Sequence, residues 1–152
     1  MAFEPVSDLD AHLGYWLRLV SNAVSHGFAR KLDAEGVTVA EWVTLRRLYD
    51  ADAIAPSRLA EALGLTKGAI SKLADRLESK GLATRAADPG DGRAHALSLT
   101  PAGREKTPVL AALADANDAE SFECLDDDER ATLARLLRKI VAARGLSGAP
   151  TE

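Results

Sequence analysis

The chain of 152 residues contains a single cysteine, Cys124, and three widely separated histidines, His12, His26 and His95. One cysteine excludes an intrachain disulfide and a zinc site built from several thiolates. We expect Cys124 to be a small buried residue, with redox sensing as the alternative. The histidines lack the spacing of metal ligands, and there is no phosphate-binding glycine loop or nucleophile elbow. We therefore expect no metal, no cofactor and no enzymatic activity.

Long hydrophobic runs are also missing, because charged residues interrupt every apolar stretch. The first ten residues have neither the basic region nor the apolar region of a secretory leader. Hydrophobic residues nevertheless make up 47% of the chain, which is enough to build a compact core. These features predict a folded cytoplasmic protein that does not interact with membranes.

Negative charge predominates overall, with a net charge of −4, but the charge is distributed unevenly. Residues 54–100 carry seven basic and five acidic side chains, whereas residues 1–53 carry five and eight, and residues 101–152 carry seven and ten. The central segment is thus weakly basic between two acidic flanks. Such a segment can attract phosphate at short range, so the overall charge does not exclude a nucleic-acid partner.

Helical periodicity dominates the sequence, and we predict a mainly α fold with one small β-hairpin. Capping boxes or their aspartate equivalents are expected at Ser7 with Asp10, at Thr38 with Glu41 and at Asp126 with Glu129, and Thr100-Pro101 marks a further helix start. The predicted helices span 8–32, 39–51, 56–63, 67–79, 101–122 and 127–144, and the predicted strands span 82–86 and 94–99.

A helix-turn-helix pattern occupies the stretch PSRLAEALGLTKGAISKLADRLESKGL, which begins at Pro56. Gly64 is suited to ending the first helix in a sharp turn, and Thr66 to capping the second. If Ile70, Leu73, Ala74 and Leu77 face the core, a polar and cationic set faces outward. Small residues in that set would permit close approach to a DNA major groove, while its cations reach bases or phosphates. The outward set is Thr66, Lys67, Gly68, Ser71, Lys72, Asp75 and Arg76.

A Gly-rich hairpin follows directly, with the loop DPGDGR at its tip. We expect Asp91 to orient Arg93, so that the guanidinium enters a DNA minor groove, where the negative potential is strong. The alternative is a surface hairpin whose tip is merely solvated. A helix-turn-helix followed by such a hairpin is typical of a winged helix.

With these residues identified, the chain resembles the MarR family of winged-helix regulators over nearly its whole length. The most specific match is DPGDGRAHALSLTPAGR, which is similar to the family's wing pattern, and LAEALGLTKGAISKLADRLESKGL resembles its DNA-reading helices. The residues of the wing pattern that match are Asp91, Arg93, Leu97, Leu99, Thr100 and Gly103. Gly92 departs from the pattern, because many members carry a second basic residue there. The resemblance implies a homodimer that binds a pseudo-palindromic operator on double-stranded DNA.

The two ends of the chain carry amphipathic helices that the small central lobe cannot cover. We therefore predict that 8–32 and 101–145 form a dimerisation arm, and that 38–100 forms the DNA-binding lobe of a single subunit, 1–152. A winged-helix module that binds another protein and no DNA is the main alternative function. The four cations Lys67, Lys72, Arg76 and Arg93 favour DNA.

The resemblance also implies a small aromatic or phenolic effector, bound between arm and lobe. An indole and a guanidinium four residues apart, Trp42 and Arg46, share a helix face and could bracket an aromatic carboxylate. The expected lining is His12, Tyr15, Trp16, Trp42 and Arg46. Ordinary packing of the tryptophans and an ion pair at Arg46 are the alternative interpretation.

Overall fold

The computed structural model describes residues 4–88 and 91–152, without the side chains of 88 and 91–94. Six α-helices and a two-stranded antiparallel hairpin confirm the predicted fold class. Along the chain they are α1 (Leu13–Asp33), α2 (Val39–Tyr49), α3 (Pro56–Leu63), α4 (Lys67–Ser79), β1 (Ala83–Asp88), β2 (Asp91–Leu99), α5 (Pro101–Ser121) and α6 (Asp127–Arg144).

Most of the predicted helix caps are present. Complete capping boxes close α2, through Thr38 and Glu41, and α6, through Asp126 and Glu129. The backbone N–H of Glu129 donates a hydrogen bond to the Asp126 side chain, which lowers the pKa of that carboxyl below its ordinary value. Thr100 caps α5 by accepting a hydrogen bond from the backbone N–H of Gly103.

The predicted start of the first helix was wrong. Residues Leu9–Ala11 form a short 3-10 turn, His12 is extended, and α1 begins only at Leu13. The capping box expected at Ser7 does not form. The indole Nε1 of Trp16 donates to the carbonyl oxygen of Asp10 at 2.8 Å, and the amide of His12 donates to the carbonyl of Leu9 at 3.3 Å. These bonds occupy backbone oxygens in a tighter turn, which interrupts the helix before Leu13.

One hydrophobic core fills the lobe and also includes Leu32 of α1 and Leu110 of α5, which belong to the predicted arm. Leucines from α2, α3 and α4 converge there with residues of β2 and α5, and their side chains are almost completely buried. Cys124, in contrast, is exposed, so the expectation that it packs in the interior was wrong. The largest buried members of the core are Leu32, Leu45, Leu48, Leu59, Leu63, Ile70, Leu77, Leu97 and Leu110.

The hairpin is longer than predicted and is attached to the lobe by a third short segment. Ile54, between α2 and α3, exchanges two backbone hydrogen bonds of 2.9 Å with Leu97 of β2. This bridge fixes the base of the hairpin against the helices. Because Leu97 is only 1% exposed, its side chain also joins the hairpin to the core.

The arm is largely uncovered in a single protomer. Helix α6 contributes no buried residue, and Leu32, near the C-terminal end of α1, is the one buried residue of that helix. Large apolar side chains of both helices face solvent, among them Leu13, Leu17, Leu19, Val20, Leu136, Leu137, Ile140 and Val141. Exposed apolar surface of this extent is typical of a protein interface.

The chain turns back after α6, because Gly145 adopts a left-handed conformation, with φ of 59°. The following segment, residues 146–152, returns to the lobe, where Ala149 packs against the core. Gly148 meets the turn between α3 and α4 so closely that a Cβ built on Gly64 would lie 3.4 Å from its Cα. The segment thus joins the arm to the helix-turn-helix. None of the helices described is long and apolar enough to cross a membrane.

Candidate nucleic-acid interface

Helix α4 presents the face that the sequence predicts. Its inner residues Ile70, Leu73, Ala74 and Leu77 are at most 4% exposed, which fixes the rotation of the helix about its axis. The predicted outward residues are all exposed, so this orientation is confirmed. They are Thr66, Lys67, Gly68, Ser71, Lys72, Asp75 and Arg76.

The turn before α4 exposes the start of this helix. Gly64 ends α3 with φ of 66° and ψ of 31°, a left-handed conformation that glycine adopts without strain. Thr66 then accepts a hydrogen bond of 3.1 Å from the backbone N–H of Ala69. Gly68 faces open space, since the nearest atom to a Cβ built there is 4.0 Å away. The first turn of α4 is therefore open to close approach by a partner.

Arg85, on β1, organises the acidic side of α4, a role that the sequence analysis missed. Its Nη1 donates to Asp75 at 2.8 Å and to Glu78 at 3.0 Å, and its Nη2 donates to the carbonyl oxygen of Ser71 at 3.2 Å. The bond to Asp75 raises the pKa of the guanidinium above its ordinary value. The only available signal was two carboxylates one helical turn apart on α4, followed by a basic residue on the next strand.

The far end of α4 is tied to α2 by a second charged group. Lys80, just after α4, donates to the Glu41 carboxylate at 2.7 Å and to the carbonyl oxygen of Gly36 at 2.7 Å. Glu41 is 1% exposed, and the same carboxylate also caps the start of α2. A buried carboxylate that is paired and hydrogen-bonded in this way resists displacement of either helix.

The start of α5 packs directly on the hairpin. The hydroxyl of Thr100 donates to the carbonyl oxygen of Gly81 at 2.6 Å while it caps α5. Gly103 lies so close to the backbone that an added Cβ would be 2.0 Å from the carbonyl oxygen of Leu82. The arm and the wing therefore meet without space for a side chain at this position.

The predicted wing contacts involve side chains that lie outside the part of the chain that the structure describes. The backbone of Asp91 and Arg93 belongs to β2, but their side chains are not among those that the structure describes. Their roles at a minor groove stay predictions from the sequence.

The predicted effector residues are not brought together within one protomer. Trp42 lines a cavity of about 270 Å³ between α1, α2, α5 and the C-terminal segment. Arg46 does not line this cavity, and its Nη1 lies 2.6 Å from the Asp50 carboxylate. Tyr15 and Trp16 form an edge-on pair near the start of α1, with ring centroids 5.2 Å apart. Like the nearby His12, they are exposed and away from the cavity.

Comparison with known proteins adds independent information. A sequence profile described as the MarR family matches residues 35–94. A Thauera aromatica protein whose name links it to transcriptional regulation of the hcr operon is 32% identical over 129 residues, which cover 84% of this chain and 78% of that protein.

Solved structures agree with this relationship. A mutant of MarR from Escherichia coli, crystallised with operator DNA, superposes with a TM-score of 0.76 at 29% identity, covering 85% of this chain and 93% of the other. The PcaV transcriptional regulator from Streptomyces coelicolor, crystallised with its natural ligand, superposes with a TM-score of 0.77 at 25% identity, covering 93% and 99%. The exposed α4, the hairpin and these relatives all agree. The chain therefore belongs to the MarR family of DNA-binding transcriptional regulators.

Proposed function

We propose that two copies of this chain pair through their arms and bind a pseudo-palindromic operator as a repressor. The observation that supports this pairing is the exposed apolar surface of α1 and α6. A single protomer leaves this surface uncovered, and an identical subunit can bury it. A dimer on promoter DNA occupies sequence that a polymerase needs, which favours repression. Such a regulator would act in the cytoplasm, where its operator would lie.

In this proposal the two α4 helices enter successive major grooves, which requires a separation of about 34 Å. Lys67, Lys72 and Arg76 supply positive charge on the exposed face, and the short side chains of Thr66 and Ser71 come near base edges or phosphates. Gly68 permits the close approach. The wing residues Asp91 and Arg93 contact the flanking minor groove.

Gel shift of the purified protein on DNA from upstream of its own gene tests the proposal. We expect a salt-sensitive complex that persists in excess unrelated DNA. Replacing Lys67, Lys72 and Arg76 together by alanine should abolish it, whereas replacing Arg135 and Arg138, on the arm, should not. If the protein stays dimeric and binds no segment of its upstream DNA, the alternative of a protein-interaction module is favoured.

We further propose that a small aromatic or phenolic effector binds in the cavity beside Trp42 and releases the operator. PcaV, a structural relative, was crystallised with a natural ligand, which supports a ligand-responsive mechanism. Of the five residues predicted for an effector, this proposal retains Trp42. A hundredfold loss of operator affinity requires about 2.7 kcal/mol of preference for the released conformation, within the range of allosteric coupling.

A further inference from the structure

We infer that the cavity beside Trp42 selects an aromatic molecule that carries a positive charge, such as an aromatic amine, over an aromatic carboxylate. This inference rests on the proposed effector function and specifies the chemical class of the effector. It departs from the aromatic acid that the pairing of Trp42 with Arg46 suggested. Three features of the cavity support this inference: its aromatic wall, the charges around it and its contact with the C-terminal segment.

The inner wall accepts an aromatic ring. Phe28 and Trp42 lie edge to face, with ring centroids 6.3 Å apart, and Val24, Val39 and Val43 complete an apolar surface. A volume of about 270 Å³ suits a single ring with a short substituent. The face of an indole ring also attracts a cation, which favours an ammonium group on such a ligand.

The charges at the cavity are negative. Two carboxylates line it, Asp118 of α5 and Glu152 of the C-terminal segment, and no basic side chain appears among the described lining residues. Because Asp118 is already paired with Arg130, Glu152 is the carboxylate that an aromatic acid would meet without a counter-charge. An ammonium group would instead gain Glu152 as a counter-charge.

Two cations bond to residues of the cavity wall, and each is already paired with a carboxylate. Lys31 lies 2.8 Å from Glu120 and also donates to the Asn117 amide oxygen at 3.2 Å, while Arg130 lies 2.9 Å from Asp118. Within the described part of the chain, Glu152 has no basic partner within 4.0 Å. A carboxylate ligand would have to break one of these pairs to find a cation.

The C-terminal segment links the cavity to the DNA-binding turn. Pro150 and Glu152 form part of the cavity wall, and Gly148 contacts Gly64 at the turn that leads into α4. A ligand that draws Glu152 inward therefore acts on a segment that touches the helix-turn-helix. This contact provides a physical route from the charge of the ligand to the position of the lobe.

Three phenols of nearly equal shape test the inference. Tyramine is a cation, tyrosol is neutral and para-hydroxyphenylacetate is an anion. Titration into the full-length protein with Trp16→Phe reports binding through Trp42 emission, because the chain has two tryptophans. Calorimetry on the unmodified protein repeats the measurement in case the variant misfolds. We expect affinity to decrease in the order tyramine, tyrosol, para-hydroxyphenylacetate.

Removal of the carboxylates should reduce this preference. Glu152→Gln and Asp118→Asn should each weaken tyramine binding about two- to fivefold and leave tyrosol unchanged. Glu105→Gln is the matched control, because this exposed carboxylate lies on α5 ~20 Å along the helix from Asp118, beyond the screening length of ~8 Å.

The possible failures are distinguishable. Equal or tighter binding of para-hydroxyphenylacetate would overturn the charge preference while leaving the effector site in place. Absence of saturable binding by all three phenols would reject both the inference and the effector cavity. In that case the gel shift would still test the operator-binding part of the proposed function separately.

Discussion

Nη1 of Arg85 lies 2.8 Å from Oδ1 of Asp75, so that strand β1 of the wing and helix α4 are joined by a charge-assisted hydrogen bond. Because the same guanidinium also holds Glu78, its single positive charge partly offsets the two carboxylates on this side of α4. In the proposed operator complex Arg85 is a positioning residue, since it would act through the helix that it holds.

Arg85→Ala should weaken operator binding by about 1–2 kcal/mol, because it leaves two carboxylates without their cation and frees α4 from β1. Arg85→Lys should give an intermediate affinity, since it restores the charge without the forked geometry. Fluorescence anisotropy with labelled operator measures both. Arg47→Ala removes the same charge from an exposed site on α2 and serves as the control. Wild-type affinity in Arg85→Ala would contradict the positioning role.

Arg93→Ala should lower operator affinity and reduce the slope of log affinity against log salt concentration by about one, as expected for the loss of one phosphate-region contact. Asp91→Ala should produce a smaller change in the same direction, because its proposed task is to orient Arg93. The double variant should lose little beyond Arg93→Ala alone. Fully additive losses would show that the two residues act independently.

Ser71→Ala and Lys72→Ala distinguish base recognition from backbone contact. A residue that reads a base edge should change the preference at one base pair by about 1–3 kcal/mol. A residue that contacts phosphate should weaken binding to all sequences alike. Affinities for a set of operators with single base-pair changes measure this directly. If neither variant changes any affinity, the proposed placement of α4 in the major groove is wrong.

Two glycines should respond oppositely to alanine. Gly103→Ala should lower the melting temperature by several degrees, because its Cβ would overlap the carbonyl oxygen of Leu82 and force α5 away from the hairpin. Gly68→Ala has space and a helical position, so it should stabilise the fold by about 0.5–1 kcal/mol. It should nevertheless weaken operator binding, since the methyl group occupies the surface that DNA approaches. Unchanged operator affinity in a stable Gly68→Ala protein would argue against close contact there.

Ile140→Glu should convert the protein to monomers, because it places a charge in the apolar face of α6 that we propose is buried between subunits. Light scattering coupled to size exclusion reports the mass, and a gel shift should show loss of operator binding. Lys139→Glu, at the neighbouring position of the same helix, tests whether the effect belongs to the apolar face. A dimer of undiminished stability with Ile140→Glu would place the interface elsewhere.

Local signals in the sequence predicted local structure well. Thr38, Thr66 and Asp126 cap their helices as their spacing from the following residues indicates, because a cap depends on atoms within one turn. The inner and outer faces of α4 followed from its periodicity for the same reason. The late start of α1 was not predictable in this way, because the indole of Trp16 competes for a backbone oxygen.

Features that depend on distant parts of the chain escaped the sequence analysis. The bridge between Ile54 and Leu97 joins residues more than 40 positions apart. The hydrogen bond from Arg85 to Asp75 requires the hairpin to lie along α4. The cavity beside Trp42 is closed by residues from the far end of the chain, which no periodicity reveals. The sequence places Arg46 and Trp42 on one helix face, but the guanidinium of Arg46 donates a hydrogen bond to Asp50 and does not line the cavity.

The carboxylate of Glu41 has a wider consequence for how this protein can change. The buried carboxylate bonds to the backbone at the start of α2 and to Lys80 at the end of α4, and Lys80 also bonds to the turn at Gly36. None of these three parts can therefore tilt without the others. In the proposed operator complex, exchanges of outer-face side chains of α4 should therefore change the sequence preference without redesign of the scaffold. In the proposed mechanism α2 and the end of α4 should therefore move as one unit, and their amides should show similar protection from hydrogen exchange.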